Sequence, residues 1–194
     1  MVGFSFVPGE PRRYRAQIFG GRHMVETILT TTSAPVLVSH RECANIDGLS
    51  LGGLILTANN CQPNTLSTIS LGPHNSPSEI FLHWEAHSSA KELHVLLHDG
   101  TETLFVGGGT ISATIRTSEL AVVNRNDLTL FWSFERRRDF VLELGELDCY
   151  LYRTNGECVG HASVDPPYEI DEKEAAINFQ SVVAGSQWIA FPAD

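Results

Sequence analysis

The chain has 194 residues, a formal charge of −10 (13 Lys and Arg against 23 Asp and Glu), 42% hydrophobic residues and four cysteines. That length suits a single domain, residues 1–194, that buries roughly 70% of its unfolded surface, and the ordinary hydrophobic content excludes a disordered chain. No apolar run approaches the roughly 18 residues of a membrane helix, and the acidic balance speaks against nucleic-acid binding, whose affinity comes from clustered Lys and Arg.

Val, Ile and Thr together number 39, against 22 for Ala, Lys, Gln and Met, which favours strands over helices. The N-terminal run Met1–Val7 is too short for a secretory signal and precedes its basic residues instead of following them, so the expected compartment is the cytosol. Candidate strands then follow in order: Arg15–Phe19, Met24–Thr31, Pro35–Ser39 and Leu49–Thr57. His40-Arg-Glu-Cys43 with Asp47 holds the residue types of an activated thiol, but nearness in sequence does not assemble such a site, and Cys43 reads as a small structural residue. Residues 58–78, rich in Asn, Pro and Ser, read as the longest loop and a possible seam between an N-terminal β portion and a C-terminal meander.

Four of the eight histidines fall between His83 and His98. On one continuous helix they would share a stripe, but the surrounding apolar residues would then scatter around the circumference. Two strands, Glu79–Glu85 and Leu93–Leu97, fit better. They place Ile80, Leu82 and Trp84 opposite Phe81, His83 and Glu85, and Leu93, Val95 and Leu97 opposite His94, Leu96 and His98. A short helix over Ala90–His98, capped by Ser89-Ala-Lys-Glu92, is the alternative. If the two strands paired, His83, Glu85, His94 and His98 would supply a pool of ligands for a divalent transition metal. This set distantly resembles the cupin arrangement of strand histidines and a glutamate. His-Trp-Glu-Ala-His departs from its spacing and lacks its glycine frame.

Thr103–Val106 and Thr110–Ile115 come next, joined by Gly107-Gly-Gly109. These glycines lack the Lys-Ser/Thr of a phosphate loop and read as a bulge or sheet corner permitting close approach. From Ser118 onward, apolar runs alternate with turn signals as in an antiparallel meander. The runs are Glu119–Val123, a turn at Asn124–Asp127, Leu128–Phe134, Phe140–Leu147, Cys149–Arg153, Cys158–Val164, Tyr168–Ile170, Ala176–Val183 and Gln187–Phe191.

Arg136-Arg-Arg138 between the second and third runs reads as an exposed hairpin tip, with a clasp for a carboxylate or phosphate as the alternative. Glu143, Glu146 and Asp148 raise the question of paired glycosidase carboxylates, but Glu143 alternates with Leu142 and Leu144 as on a solvated strand face. An Asn155-Gly156 turn pairs Arg153 with Cys158 and Cys149 with Ala162, which holds Cys149 and Cys158 about 13 Å apart along the strand, too far for a disulfide. This hairpin looks like one blade edge of a β-propeller, although a single copy cannot build one.

The expected fold is all-β: an antiparallel β-sandwich or open β-barrel with meander hairpins and little helix. No complete catalytic set is visible. The leading expectation is a non-catalytic binding protein without a cofactor, whose acidic surface steers a basic protein partner, as in an inhibitor or immunity-type protein. Trp132, Tyr150, Tyr152 and Arg136, Arg137, Arg138 are its candidate contact residues. The alternative is a small cupin-like metalloenzyme using the His83–His98 segment. An exposed edge strand would also permit a homodimer.

Overall fold

The structure is a computed structural model that describes residues 12–20, 23–31, 36–72, 77–86 and 92–192. The Met1–Val7 run, His87 and the capping positions 89–91 lie outside the described residues.

The fold is almost wholly β. In chain order, β1 (Arg12–Gly20) and β2 (His23–Thr31) form a hairpin, followed by β3 (Val36–Glu42), β4 (Leu54–Thr57), β5 (Thr65–Leu71) and β6 (Ser78–Trp84). Next come β7 (Glu92–His98), β8 (Thr103–Gly108), β9 (Ile111–Arg116) and β10 (Ala121–Asp127). They are followed by β11 (Phe131–Arg137), β12 (Phe140–Gly145), β13 (Asp148–Arg153) and β14 (Cys158–Ser163), then β15 (Tyr168–Glu172), β16 (Ala176–Ser181) and β17 (Gly185–Ala190).

Sheet I runs β3-β5-β6-β4, sheet II β1-β2-β7-β8-β9-β10, sheet III β11-β12-β13-β14 and sheet IV β15-β16-β17. Neighbours are antiparallel except β2 beside β7 and β4 beside β6, which are parallel.

The sandwich is extended from two layers to four. Ile69, Ile80, Leu82 and Trp84 of sheet I pack on Leu93, Val95, Leu104, Val106, Ile111 and Ile115 of sheet II. The opposite face of sheet II, with Leu96 and Phe105, meets Phe131, Phe134, Val141 and Tyr152 of sheet III. The far face of sheet III, with Leu142, Leu144, Cys149 and Leu151, meets Ile177, Phe179 and Ile189 of sheet IV. Strand alternation therefore works as anticipated for β6 and β7, but both parities are buried in the middle sheets.

The alternative helix at 90–98 is replaced by β7, because Leu93, Val95 and Leu97 are needed on one side of it and Leu96 on the other. The supposed loop 58–78 contains β5, a central strand of sheet I. Its Thr-Leu-Ser-Thr-Ile-Ser-Leu pattern outweighs the Asn and Pro around it. The turn expected at Asn124–Asp127 is the second half of β10, where the polar side chains find partners across sheets. Asn124 Nδ2 donates to the Gly156 carbonyl at 2.6 Å and Arg125 Nη2 to that of Thr57 at 2.7 Å.

The glycine run sits where side chains from the two flanking layers reach β8. A Cβ on Gly107 would lie 2.5 Å from the Phe131 ring of sheet III, and one on Gly108 would lie 3.1 Å from the Trp84 ring of sheet I. Adjacent residues of β8 point to opposite faces, so two successive glycines admit two aromatic rings, one from each side. Gly107→Ala is expected to destabilise the fold by about 1–3 kcal/mol, as overpacking does. Phe131→Leu in the same chain should recover part of that loss, so that urea midpoints of the double variant are non-additive.

Candidate interaction surface

The Asn-Gly hairpin begins one residue earlier than a two-residue turn would. Arg153 N–H donates to the Glu157 carbonyl, and Gly156, at φ 87°, supplies the left-handed residue. A register shift then brings Tyr152 opposite Cys158 while Cys149 still faces Ala162. Tyr150 and His161 share a face, with ring centroids 4.6 Å apart, and Cys149 is buried on the other face. Cys158 is exposed.

The anticipated contact aromatics divide among different places. Tyr152 is a core residue. Tyr150 is half-buried beside it, and desolvation pushes its phenol up to about 12. Trp132 is 37% exposed and stacks on Tyr168 at 5.2 Å.

The arginines are not a free tip. Arg138 Nε donates to Glu172 Oε1 at 2.9 Å, its two Nη groups donate to the Lys173 and Glu174 carbonyls, and its guanidinium lies 4.5 Å over the Phe191 ring. Arg137 reaches Glu135 and, at 3.8 Å, Glu172. Arg136 points the other way, toward sheet II. There its charge adds to burial in pulling the His98 imidazole below its usual pKa. The favoured reading of an exposed tip gives way to the alternative, a carboxylate clasp, with Glu172 of the chain's own sheet IV as its object.

Arg138 adopts φ 53°, a left-handed conformation that costs a non-glycine residue about 1–2 kcal/mol, and the clasp offsets this. Arg138→Ala keeps the strained turn and loses the clasp, so it should lower stability by about 1–3 kcal/mol. Arg138→Gly should be the milder of the two in denaturant melts, since glycine takes the positive φ freely.

The four candidate metal ligands are not assembled. β6 pairs with β4 and β5, and β7 pairs with β2 and β8, so the pairing that would have joined His83 and Glu85 to His94 and His98 does not form. His83 Nε2 donates to the Cys43 carbonyl at 2.8 Å on the outer side of sheet I. His94 lies 3.3 Å from Glu92 and edge-on to Phe131. His98 Nδ1 is 2.9 Å from Thr101 Oγ1. Among the described residues, no three His, Cys, Asp or Glu side chains come together as a metal site.

Two buried polar chains bind the layers instead. In the first, Trp84 Nε1 can only donate, and it reaches Ser67 Oγ at 2.8 Å. Ser67 then turns its proton to His40 Nδ1 at 2.7 Å, leaving Nε2–H to donate to Thr27 Oγ1 at 2.6 Å. This chain needs a neutral imidazole, and burial drives the His40 pKa down to about 4.

The second chain corrects the reading of Glu143, which is fully buried between sheets II and III. Ser112 donates to it at 2.7 Å, Tyr152 at 2.9 Å, and Asn126 at 3.2 and 3.3 Å. These donors favour the carboxylate, but desolvation outweighs them and raises its pKa to about 7. Phe140, Leu142 and Leu144 gave no signal that the opposite parity was covered too.

His40, neutral when folded, adds stability as pH rises from about 4 to 6.5. Glu143, protonated when folded, removes it as pH rises from about 4.5 to 7. Their slopes oppose each other over the shared window. Relative to wild type, Glu143→Gln should gain about 1.4 kcal/mol per pH unit on raising the pH through that window, and His40→Gln should lose as much. Urea midpoints at several pH values test both signs.

Among the described residues the least covered large apolar groups lie on sheet IV, at one end of the stack. Trp188 is 67% exposed on its outer face, and Val182 and Val183 at the β16–β17 turn are 78% and 81% exposed. The register lines Asp171, Asn178 and Trp188 in one row across the three strands, with Glu169, Gln180 and Ser186 in the next. Asp171 carries a surface ion pair to Lys173 at 3.5 Å. Trp188 was legible in the sequence as one aromatic of the meander. Its exposure was not, because only the stacking order reveals which sheet is last.

No family model matches the chain, and no curated protein does. Among solved structures, the chain is similar to the AfRom2 CNH domain (13% identity, 95% of this chain and 56% of that one, TM-score 0.32). It is also similar to Kluyveromyces lactis Hsv2 (7% identity, 63% and 39%, TM-score 0.31) and to BamB from Moraxella catarrhalis (8% identity, 76% and 61%, TM-score 0.25). The chain thus spans about two fifths of the length of Hsv2 and somewhat more than half of the other two. Among the described residues, no helix is long and apolar enough to cross a membrane.

Proposed function

We propose that the protein is a non-catalytic cytosolic interaction domain that docks a basic protein segment on the outer face of sheet IV. The observation that carries this reading is Trp188, two-thirds exposed in a row with Asp171 on the terminal layer. An exposed indole offers a flat face to an arginine or lysine side chain, and a carboxylate two strands away, about 10 Å across the sheet, can hold a second cation. The segment 165–174 holds Asp165, Glu169, Asp171, Glu172 and Glu174 against Lys173 alone. Together with the overall charge of −10 it favours encounter with a basic partner. Val182 and Val183 at the rim supply apolar contact.

The probe is a ten-residue peptide carrying four arginines and two leucines, compared with its glutamate counterpart. The arginine peptide is expected to quench tryptophan emission saturably, and about tenfold more weakly when salt is raised from 50 to 300 mM. Trp188→Ala should abolish the quench, and Asp171→Lys should weaken binding. Equal behaviour of the two peptides, or an unaltered Trp188→Ala titration, sinks the reading.

A further inference from the structure

β7 to β10 and β11 to β14 are two successive four-stranded antiparallel meanders, stacked face to face. In the first, the outer edge of the leading strand is occupied: β2 pairs alongside β7 in parallel, from Glu26 opposite Glu92 to Thr30 opposite Leu96. In the second, the corresponding strand β11 is the end of its sheet among the described residues.

The loop between β11 and β12 is the two residues Arg138-Asp139, closed by the Arg137–Phe140 pair. Arg137 therefore bonds to β12, and by alternation the N–H and C=O groups of Phe134 and Arg136 point to the open side. Among the described residues the start of that edge is pinned, where Phe131 N–H donates to the Gly109 carbonyl at 2.7 Å.

Beside the open stretch runs a groove with Ser133, Phe134 and Glu135 on one wall and Ile28, Thr30, His94, Val95 and Leu96 on the other. Its second wall is β7, whose Leu96 packs against sheet III, and the neighbouring β2 with Ile28 and Thr30, since sheet II has six strands and sheet III four.

We infer that the open edge of β11 is a strand-addition site for an extended partner segment that alternates apolar and basic residues. The incoming strand takes beside β11 the place that β2 takes beside β7, and so lies over β2. Its backbone bonds to Phe134 and Arg136. One set of its side chains lies on Ile28 and Thr30, and the other set lies on the side of β11 that carries Glu135. Basic residues suit that second set because the chain is strongly acidic and Glu135, which lines the groove and is held on one side by Arg137, can take a second cation. The site is separate from the outer face of sheet IV, so Trp188→Ala leaves it intact.

The probe is a fluorescein-labelled (Val-Lys)4 peptide, read by anisotropy and by amide hydrogen exchange of the full chain. Arg136→Pro removes an outward N–H without touching a bond to β12, and Arg136→Ala controls for the side chain. Binding is expected to wild type and Arg136→Ala alike, to be at least about tenfold weaker for Arg136→Pro, and to slow exchange at Phe134 and Arg136. Should Arg136→Pro fail to fold, slowed exchange at those two amides in the wild type still supports the site. Equal affinity of a folded Arg136→Pro, binding without that protection, or no binding at millimolar peptide overturns it. So does a concentration-dependent dimer in which those amides are already protected without peptide, which would make a second copy the occupant.

Discussion

The middle strands β8, β9 and β12 of sheets II and III are packed on both faces, and much of the fold follows from that. A strand packed on one side needs apolar residues at every second position, but here both parities face protein. β8, β9 and β12 are buried almost residue by residue. Any polar group landing on such a strand must be matched from the next layer, since leaving it unpaired costs about 1–3 kcal/mol. Ser112, Asn126, Glu143 and Tyr152 meet that demand as one group drawn from four strands, β9, β10, β12 and β13. The contact brings the two middle sheets together at one register, because sliding either by a residue would strand a buried carboxyl group.

The same constraint explains the glycines and the direction of the titrations. Layers with two buried faces can approach only where a side chain is missing, and Gly107 and Gly108 provide that on opposite sides of a single strand. Near pH 5 to 6 both polar chains consist of groups that are mostly uncharged in the folded state. Burial lowers the pKa of His40 and raises that of Glu143, each toward its neutral form, so one base and one acid share the interior without either carrying a charge near pH 5 to 6.

Strand positions and the grouping of residues by face were legible in the sequence, because alternation is a local property. Ile80, Leu82 and Trp84 opposite Phe81 and His83 is what the chain builds. Whether a face is covered is not local, and the misreadings cluster there. Glu143 has the spacing of a solvated residue and is buried only because sheet II lies over it. Asn124 to Asp127 have the composition of a turn and form a strand because Gly156, Thr57 and Glu143 await their side chains. Arg138 sits at a hairpin tip as expected, but the tip abuts sheet IV. The Asn-Gly hairpin was displaced by one residue at its turn, and the shift near Tyr152 restored the Cys149–Ala162 pair, so the wrong turn still gave the right register farther out.

A molecule whose inner sheets are committed on both faces can meet partners only at its ends and along its edges. The distribution of charge sharpens this. Arg137 and Arg138 are turned back onto Glu172, and Arg125 is held by Asp127 and the Thr57 carbonyl. Several of the few cations are thus engaged within the chain, while Glu169 and Asp171 stand on the outer face of the last sheet. The outer face of sheet IV is thus acidic, while these arginines serve the chain's own joints. Two surfaces among the described residues, the terminal sheet around Trp188 and the edge of β11 beside Glu135, favour the same sign of ligand by different means: the first through side chains on a flat face, the second through the backbone.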